Sequence, residues 1–448
     1  RALVRRGQPG RKAGAEELTM SWKNIQLKWA ALGLAALSSV GAVADEAKLR
    51  HEGVATCASS LCHGSSQPLK AYDNALQNEY TTWSQFDPHS NAYKVLLNKQ
   101  SQEIARRMGI GPAHEAPACL ACHSDAVPAA QRGAKFQLDD GVGCESCHGG
   151  SEKWLATHYQ SPRIPRSEHL ANGLVALEKP DVLAGTCLGC HVGDQNRYAN
   201  HRMMAAGHPR LVFELDTYLE LWRTSGGREH YRKKSPTNHS ALWVKGLVDS
   251  SRRQLGLIEQ HGAGRMGPIP DFGVFACHSC HRDLRLTAFG GSSALGIAPG
   301  DLRWQDAHLL VLRRVAATLQ LGARTELDRA VIALQRAAHG DASSLRAALT
   351  QTRTALSSVE QQMGSVSWSA AQMNAVAQAL TDASRRGEFP DPAAAEQAAM
   401  GMVVMLAGLK LDQGKKAEID RLFDDLRDDN AFDQRRFVKW MSVLGTRN

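Results

Sequence analysis

The 448 residues are 43% apolar and 22% charged, the balance of a globular protein, which excludes a disordered or fibrous one. No apolar run reaches the ~20 residues of a membrane span, so a polytopic membrane protein is excluded as well. Much of the formal charge of +8 lies in residues 1–44, which hold seven Lys/Arg against two Glu; the remainder has 46 basic and 43 acidic residues, +3, and makes no electrostatic case for nucleic acid.

Residues 1–19 are basic and Gly-rich and read as upstream translation. Met20 then opens a charged region with Lys23 and Lys28, followed by an apolar stretch over 29–43 that ends in Ala42-Val43-Ala44. That order predicts a secretory signal peptide over 20–44, cleaved after Ala44, and hence an exported, periplasmic chain with no transmembrane span once mature. The length that follows accommodates two or three domains.

Over 45–289 the cysteines dominate. All ten fall into pairs, and a histidine follows each pair at once: Cys57, Cys62 and His63; Cys119, Cys122 and His123; Cys144, Cys147 and His148; Cys187, Cys190 and His191; Cys277, Cys280 and His281. Four are C-x-x-C-H, the signature of covalent c-type haem attachment, and the first is stretched to C-x-x-x-x-C-H. The chemistry needs this order, because two thiols add to the vinyl groups of one porphyrin while the adjacent imidazole reaches the iron from the proximal side. Disulfides suit an exported chain, and the 21 residues between Cys122 and Cys144 approach zinc-ribbon spacing. Neither explains the histidines: with 18 His in 448 residues, five of five by chance is on the order of one in ten million, so the haem motif is preferred. The stretched motif must bulge to keep its thiols at vinyl spacing.

Five haems in about 245 residues, a domain with a radius of gyration of about 18 Å, are necessarily close neighbours. They replace disulfides as the staple, and the domain depends on them to fold. Each oxidised bis-histidine haem adds about −1, so contact patches for partners need not be basic.

Thirteen histidines remain as sixth ligands, solvated side chains or core groups. His158 lies ten residues after His148, where a short helix can fold it over a neighbouring haem. His201 and His208 are seven apart and face the same way if their segment is helical. His89 follows Pro88, which favours a turn or helix start. His51, His114, His169, His230, His239 and His261 are weaker candidates, and His278, inside its own motif, cannot reach the distal side of that haem.

Cysteine is absent beyond 290–300, a Gly/Ser-rich stretch that reads as a linker. Residues 301–448 show helical periodicity, as in Leu309, Leu312 and Ala316; Leu327, Val331 and Leu334; and Ile419, Leu422, Phe423 and Leu426. Pro390 and Pro392 mark a break before a helix expected to run through Met405. Five or six helices are expected, in a bundle or stacked hairpins, as a cap over the haem domain in preference to a docking surface. His308, near the first helix start, is within reach of a haem.

The segment GVGCESCHGGSEKW resembles the shared core of hydroxylamine-oxidoreductase-type multihaem cytochromes. The run CLGCHVGDQNRYANHRMMAAGHPRLVFEL followed by ACHSCHRDL is similar to cytochrome c-554-type exported proteins. The resemblance covers about residues 53–285. It implies that His89, His158, His201, His208 and His230 match distal haem ligands, without saying which serves which haem. The related nitrite reductases bind their catalytic haem through C-x-x-C-K, which this chain lacks, and hydroxylamine oxidoreductases carry eight haems and a tyrosine cross-link.

The expected protein is therefore mainly α: a pentahaem cytochrome c domain with little regular sheet, then a haem-free helical domain. It passes electrons between periplasmic redox proteins, or to a membrane quinol-linked complex, through five haem c groups, and no catalytic residue is assigned. One alternative is a reductase of a small nitrogen or sulfur oxyanion at one open haem. Another is an electron-transfer subunit docked to a larger respiratory complex by its C-terminal helices.

Overall fold

Short helices follow where cysteine motifs, prolines and glycines interrupt the chain. The computed structural model describes residues 49–445 apart from 70–74, 161–162, 225–237, 263–268, 282–294, 296 and 299. Residues 1–44, with the expected leader, lie outside the described residues, as does most of 290–300. Residues from 50 onward group as one unit; of the segment before them only Leu49 is described.

The cysteine-rich half begins with α1 (Val54–Cys57), α2 (Glu79–Phe86), α3 (Lys99–Met108), α4 (Pro117–His123), α5 (Cys144–His148), α6 (Arg166–Ala171), α7 (Pro180–His191) and α8 (His201–Ala205). Proline stands at the start of α4 and α7, where its missing N–H costs no hydrogen bond. Asn98 caps α3 by accepting from Ser101 N, and Asn200 caps α8 by accepting from Met203 N. Next come α9 (Leu215–Thr224) and the 23-residue α10 (His239–His261).

The C-terminal part is regular: α11 (Ala307–Thr318), α12 (Arg324–Arg336), α13 (Ala342–Met363), α14 (Ala370–Arg385), α15 (Pro392–Gly408), α16 (Lys416–Leu426) and α17 (Gln434–Gly445). These are seven helices where periodicity suggested five or six, and α15 runs through Gly408 rather than stopping at Met405. Asp341 caps α13, a Ser369/Gln372 capping box opens α14, and Asp391 followed by Pro392 opens α15. The protein is mainly helical, and among the described residues the strand-like pairings are isolated bridges, His51 with Arg132 and Phe275 with Trp304. Among the described residues no helix is long and apolar enough to cross a membrane.

Burial is unequal between the two parts. One continuous apolar core runs from α10 to α17, with Trp243, Leu247, Val248, Leu255 and Ile258 of α10 in the same cluster as Leu309, Leu312 and Val315 of α11, Leu380 of α14 and Met405 of α15. Helix α10 thus lies inside the C-terminal core although it precedes the fifth cysteine motif. Leu295, within the stretch read as a linker, is buried there too. Before α10 the described clusters are small: Ile104 with Met108 and Met203; Leu96 with Ala105 and Ala113; Leu188 with Phe213 and Leu215. Arg210 joins the two parts, donating to Asp429 at 2.8–2.9 Å and to Glu396 at 2.8 Å.

A Cβ on Gly401 of α15 would stand 2.5 Å from Cζ2 of Trp243. Gly401→Ala therefore overpacks the contact between α10 and α15 and costs about 1–3 kcal/mol. The measurement is the Tm by calorimetry, and an unchanged Tm would mean that these helices do not share a core.

Candidate cofactor-binding cavity

One turn of helix places a first cysteine, a second at i+3 and a histidine at i+4 along one side. Three motifs are built that way: 119–123 ends α4, 144–148 is α5, and 187–191 ends α7. The fifth uses a 3-10 turn over Cys277–Ser279, with His281 N donating to Cys277 O at 2.8 Å. The stretched first motif reaches the same closure. Cys62 N and Gly64 N both donate to Ser59 O at 2.8 Å, which loops out the extra residues, and His63 N donates to Cys57 O at 3.2 Å. Leu61 stands at the tip of that loop, 84% exposed.

A cavity of 2920 Å³ lies among the first four motifs, about three times the upper end for small-molecule sites. All their cysteines and His63, His123, His148 and His191 line it, with His89, His158 and His208. The fifth motif is instead anchored on the C-terminal core: Phe275 stacks on Trp304 at 4.3 Å, and Ala276 N donates to Arg303 O at 2.8 Å.

The histidines meet in twos. Ring centres are 6.1 Å apart for His63 and His158, 6.4 Å for His123 and His208, 6.0 Å for His89 and His191, and 6.3 Å for His201 and His281. An ion about 2 Å from the nearest nitrogen of each imidazole holds the two ring centres about 6.3 Å apart. Each pair joins a motif histidine to one of the distal candidates. His148 lines the cavity, and the remaining candidate, His230, lies outside the described residues.

Polar neighbours fix the tautomers. Nδ1 of His63 lies 2.8 Å from Glu79 Oε2 and that of His89 lies 2.9 Å from Asp87 Oδ1. Nδ1 of His123, His158 and His208 lies 2.9, 2.7 and 2.8 Å from the carbonyl oxygens of Ala92, Leu155 and Pro209. Carbonyls and carboxylates only accept, so each Nδ1 carries the proton and Nε2 carries the lone pair that a metal needs. Burial lowers the pKa of His158 and His208, and burial with His89 alongside lowers His191 to about 4, so these rings are neutral at pH 7.

The thiols are free, and they too meet across motifs: Cys57 with Cys144, and Cys122 with Cys190. Glu145, inside the third motif, brings the first pair together by accepting from Glu52 N and Gly53 N at 2.7–2.8 Å. Among the described residues no three of His, Cys, Asp and Glu converge as a zinc cage requires. Burial pushes Cys147 up to about 12 and Cys187 up to about 11, whereas the contact with Cys122 lowers Cys190 to about 6. The residues present fit haem c.

Two expectations about direction change. His201 and His208 do not share a face, because α8 stops at Ala205 and Gly207 turns the chain at φ +119°, a conformation that favours glycine. His201 then faces His281 while His208 faces His123. His308 does not line the cavity; it is half-buried behind the lining residue Phe213, whose backbone is its hydrogen-bond partner. Of the weaker candidates, His51 pairs with Asp125 at 2.7 Å, His239 with Asp216 at 2.8 Å, and His261 stacks on Tyr198 at 4.5 Å. His114 lies 3.3 Å from Gln102, His169 lies 3.5 Å from Thr157, and His278 reaches Asp429 O at 3.1 Å. Sequence reasoning missed the thiol contacts between motifs and the two carboxylates. Only Asp87, in Asp-Pro-His, left a readable signal, since Asp two residues before a turn residue commonly caps it.

Residues 56–149 match the family model described as cytochrome c554 and c-prime. The match spans the first three motifs and supports a c-type cytochrome with covalently bound haem. Comparison with curated proteins and with solved structures finds no match.

The loop at Ser59 restores the closure between Cys57 and His63, so its length is not expected to matter for a haem held at this motif. Deleting Ser59 and Ser60 leaves C-x-x-C-H at this position, and intact-mass spectrometry is expected to show the same number of covalent haems. Loss of one haem mass would show that the loop itself is needed.

Proposed function

We propose that this chain is an exported pentahaem c-type cytochrome that carries electrons between periplasmic redox partners, redox proteins or a membrane quinol-linked complex. Cys57 and Cys62, Cys119 and Cys122, Cys144 and Cys147, Cys187 and Cys190, and Cys277 and Cys280 hold the haems as thioethers. His63, His123, His148, His191 and His281 are the proximal ligands. The distal ligands are His158 for the site of His63, His208 for that of His123, His89 for that of His191 and His201 for that of His281. His230, outside the described residues, remains the fifth distal candidate.

The single observation that carries the reading is the repeated separation of 6.0–6.4 Å between a motif histidine and a second histidine. Bound at these sites, haem supplies a one-electron iron couple. Two imidazoles on one iron leave no place for substrate, so the four paired sites favour a carrier, and the site of His148 is the one where a reductase would have to act. The chain's own part is to orient both rings of each pair and to keep four motifs around one cavity.

The electron paramagnetic resonance spectrum of the oxidised protein, with spins counted against chain, tests this directly. Five low-spin centres per chain and no high-spin signal are expected. A high-spin centre near one per chain would overturn the carrier reading and direct attention to reduction of a small nitrogen or sulfur oxyanion.

A further inference from the structure

Helix α2 carries a carboxylate at each end, and each carboxylate faces a different histidine pair. Glu79 is its first residue and Asp87 follows its last, a separation of about 12 Å along the axis. Glu79 Oε2 accepts from His63 Nδ1 at 2.8 Å while Oε1 accepts from Leu76 N at 2.6 Å. Asp87 Oδ1 accepts from both N and Nδ1 of His89 at 2.9 Å, capping the 3-10 turn Pro88–Asn91. The two carboxylates are 14% and 12% exposed, and backbone donors hold each in place. His123 and His208, by contrast, both donate to neutral carbonyl oxygens.

We propose that Glu79 and Asp87 are positioning residues that make α2 a potential-setting element, holding the sites of His63/His158 and His191/His89 at lower reduction potential than the site of His123/His208. The proposal rests on the reading of these pairs as axial ligands. An anionic acceptor on Nδ1–H draws the proton away from the ring and gives the imidazole imidazolate character. Such a ring donates more strongly through Nε2 and favours the ferric over the ferrous state. A carbonyl acceptor does the same more weakly, so the site of His123/His208 is the internal reference. One short helix thereby ties the potentials of two sites to a single piece of backbone.

The ring planes supply a label for each site. They lie 13° apart for His63/His158 and 32° for His201/His281, but 80° for His89/His191 and 87° for His123/His208. Near-parallel axial rings split two iron d orbitals and give a rhombic low-spin signal. Near-perpendicular rings leave those orbitals almost degenerate and give a highly anisotropic one.

The test is a redox titration of the full haem-loaded protein followed by electron paramagnetic resonance, on the wild type and on Glu79→Gln, Glu79→Asp and Asp87→Asn. Gln and Asn keep an acceptor oxygen but lose the charge. The expected result is an upward shift of one rhombic centre in Glu79→Gln and of one anisotropic centre in Asp87→Asn, each larger than any shift at the other centres. Glu79→Asp restores the charge and is expected to return the first shift toward wild type. Intact low-spin signals with unmoved midpoints would overturn the proposal, as would equal shifts in Glu79→Gln and Glu79→Asp, or a variant that simply loses its ligand. A wild type without these low-spin signals would instead overturn the axial-pair reading beneath it.

Discussion

Two imidazole rings whose centres stand 6.0–6.4 Å apart are too distant to stack and too close to admit another side chain between them. Contact between the rings does not hold that spacing; the backbones that carry them do. The same spacing recurs four times, on pairs 80 to 102 residues apart in the chain, with a short helix, a 3-10 turn or a loop presenting each ring. The rest of the cysteine-rich half is arranged around this requirement. Its helices are short because each has only to deliver one motif or one ligand, and its apolar clusters are small because the cavity occupies the place where a core would be.

That half illustrates how a chain manages without a large core. A helical domain of this length ordinarily buries a continuous apolar surface. Here the described apolar clusters hold three to five buried residues each, the largest borrowing Leu242 from α10, and long-range polar contacts supply the order between them. Glu145 fixes the segment before the first motif against the third. Asp125 holds His51, and Asp216 holds His239. On the proposed reading the macrocycles complete the interior, and a distal histidine on the same iron, rather than the thioethers within one motif, would close a long loop.

The C-terminal helices obey a different logic, that of an ordinary packed bundle. Side-chain caps start α13, α14 and α15, and leucine, alanine and methionine fill the interior. Their connection to the cysteine-rich half is nonetheless intimate. Helix α10 lies in their core, the fifth motif hangs from Trp304 and Arg303, and Arg210 bridges to Glu396 and Asp429. The fifth motif therefore takes its position from the C-terminal bundle, and the fourth leans on it too, with Leu188 of α7 packed against Leu242 of α10 and Arg253 donating to Gly185 O.

What the sequence determined by itself was chemistry that is local. The spacing of two thiols and an imidazole is covalent geometry within five to seven residues, so all five motifs were legible, and so was the need for the first to bulge. Helical periodicity and the Pro390/Pro392 break, equally local, disclosed the C-terminal helices to within one or two in number. The distal candidates could be named, because Pro88 before His89 and the histidines near the motifs are features of short segments. Their partners could not. Whether His208 faces His123 or follows His201 depends on a single glycine at φ +119°. That Cys57 meets Cys144 depends on how segments far apart in the chain fold back around the cavity, and that Glu79 reaches His63 depends on how the chain turns across a separation of 16 residues. Such pairings are set by the closure of long loops and by the volume left between them, quantities that no short stretch of sequence contains, and only the tertiary structure decided them.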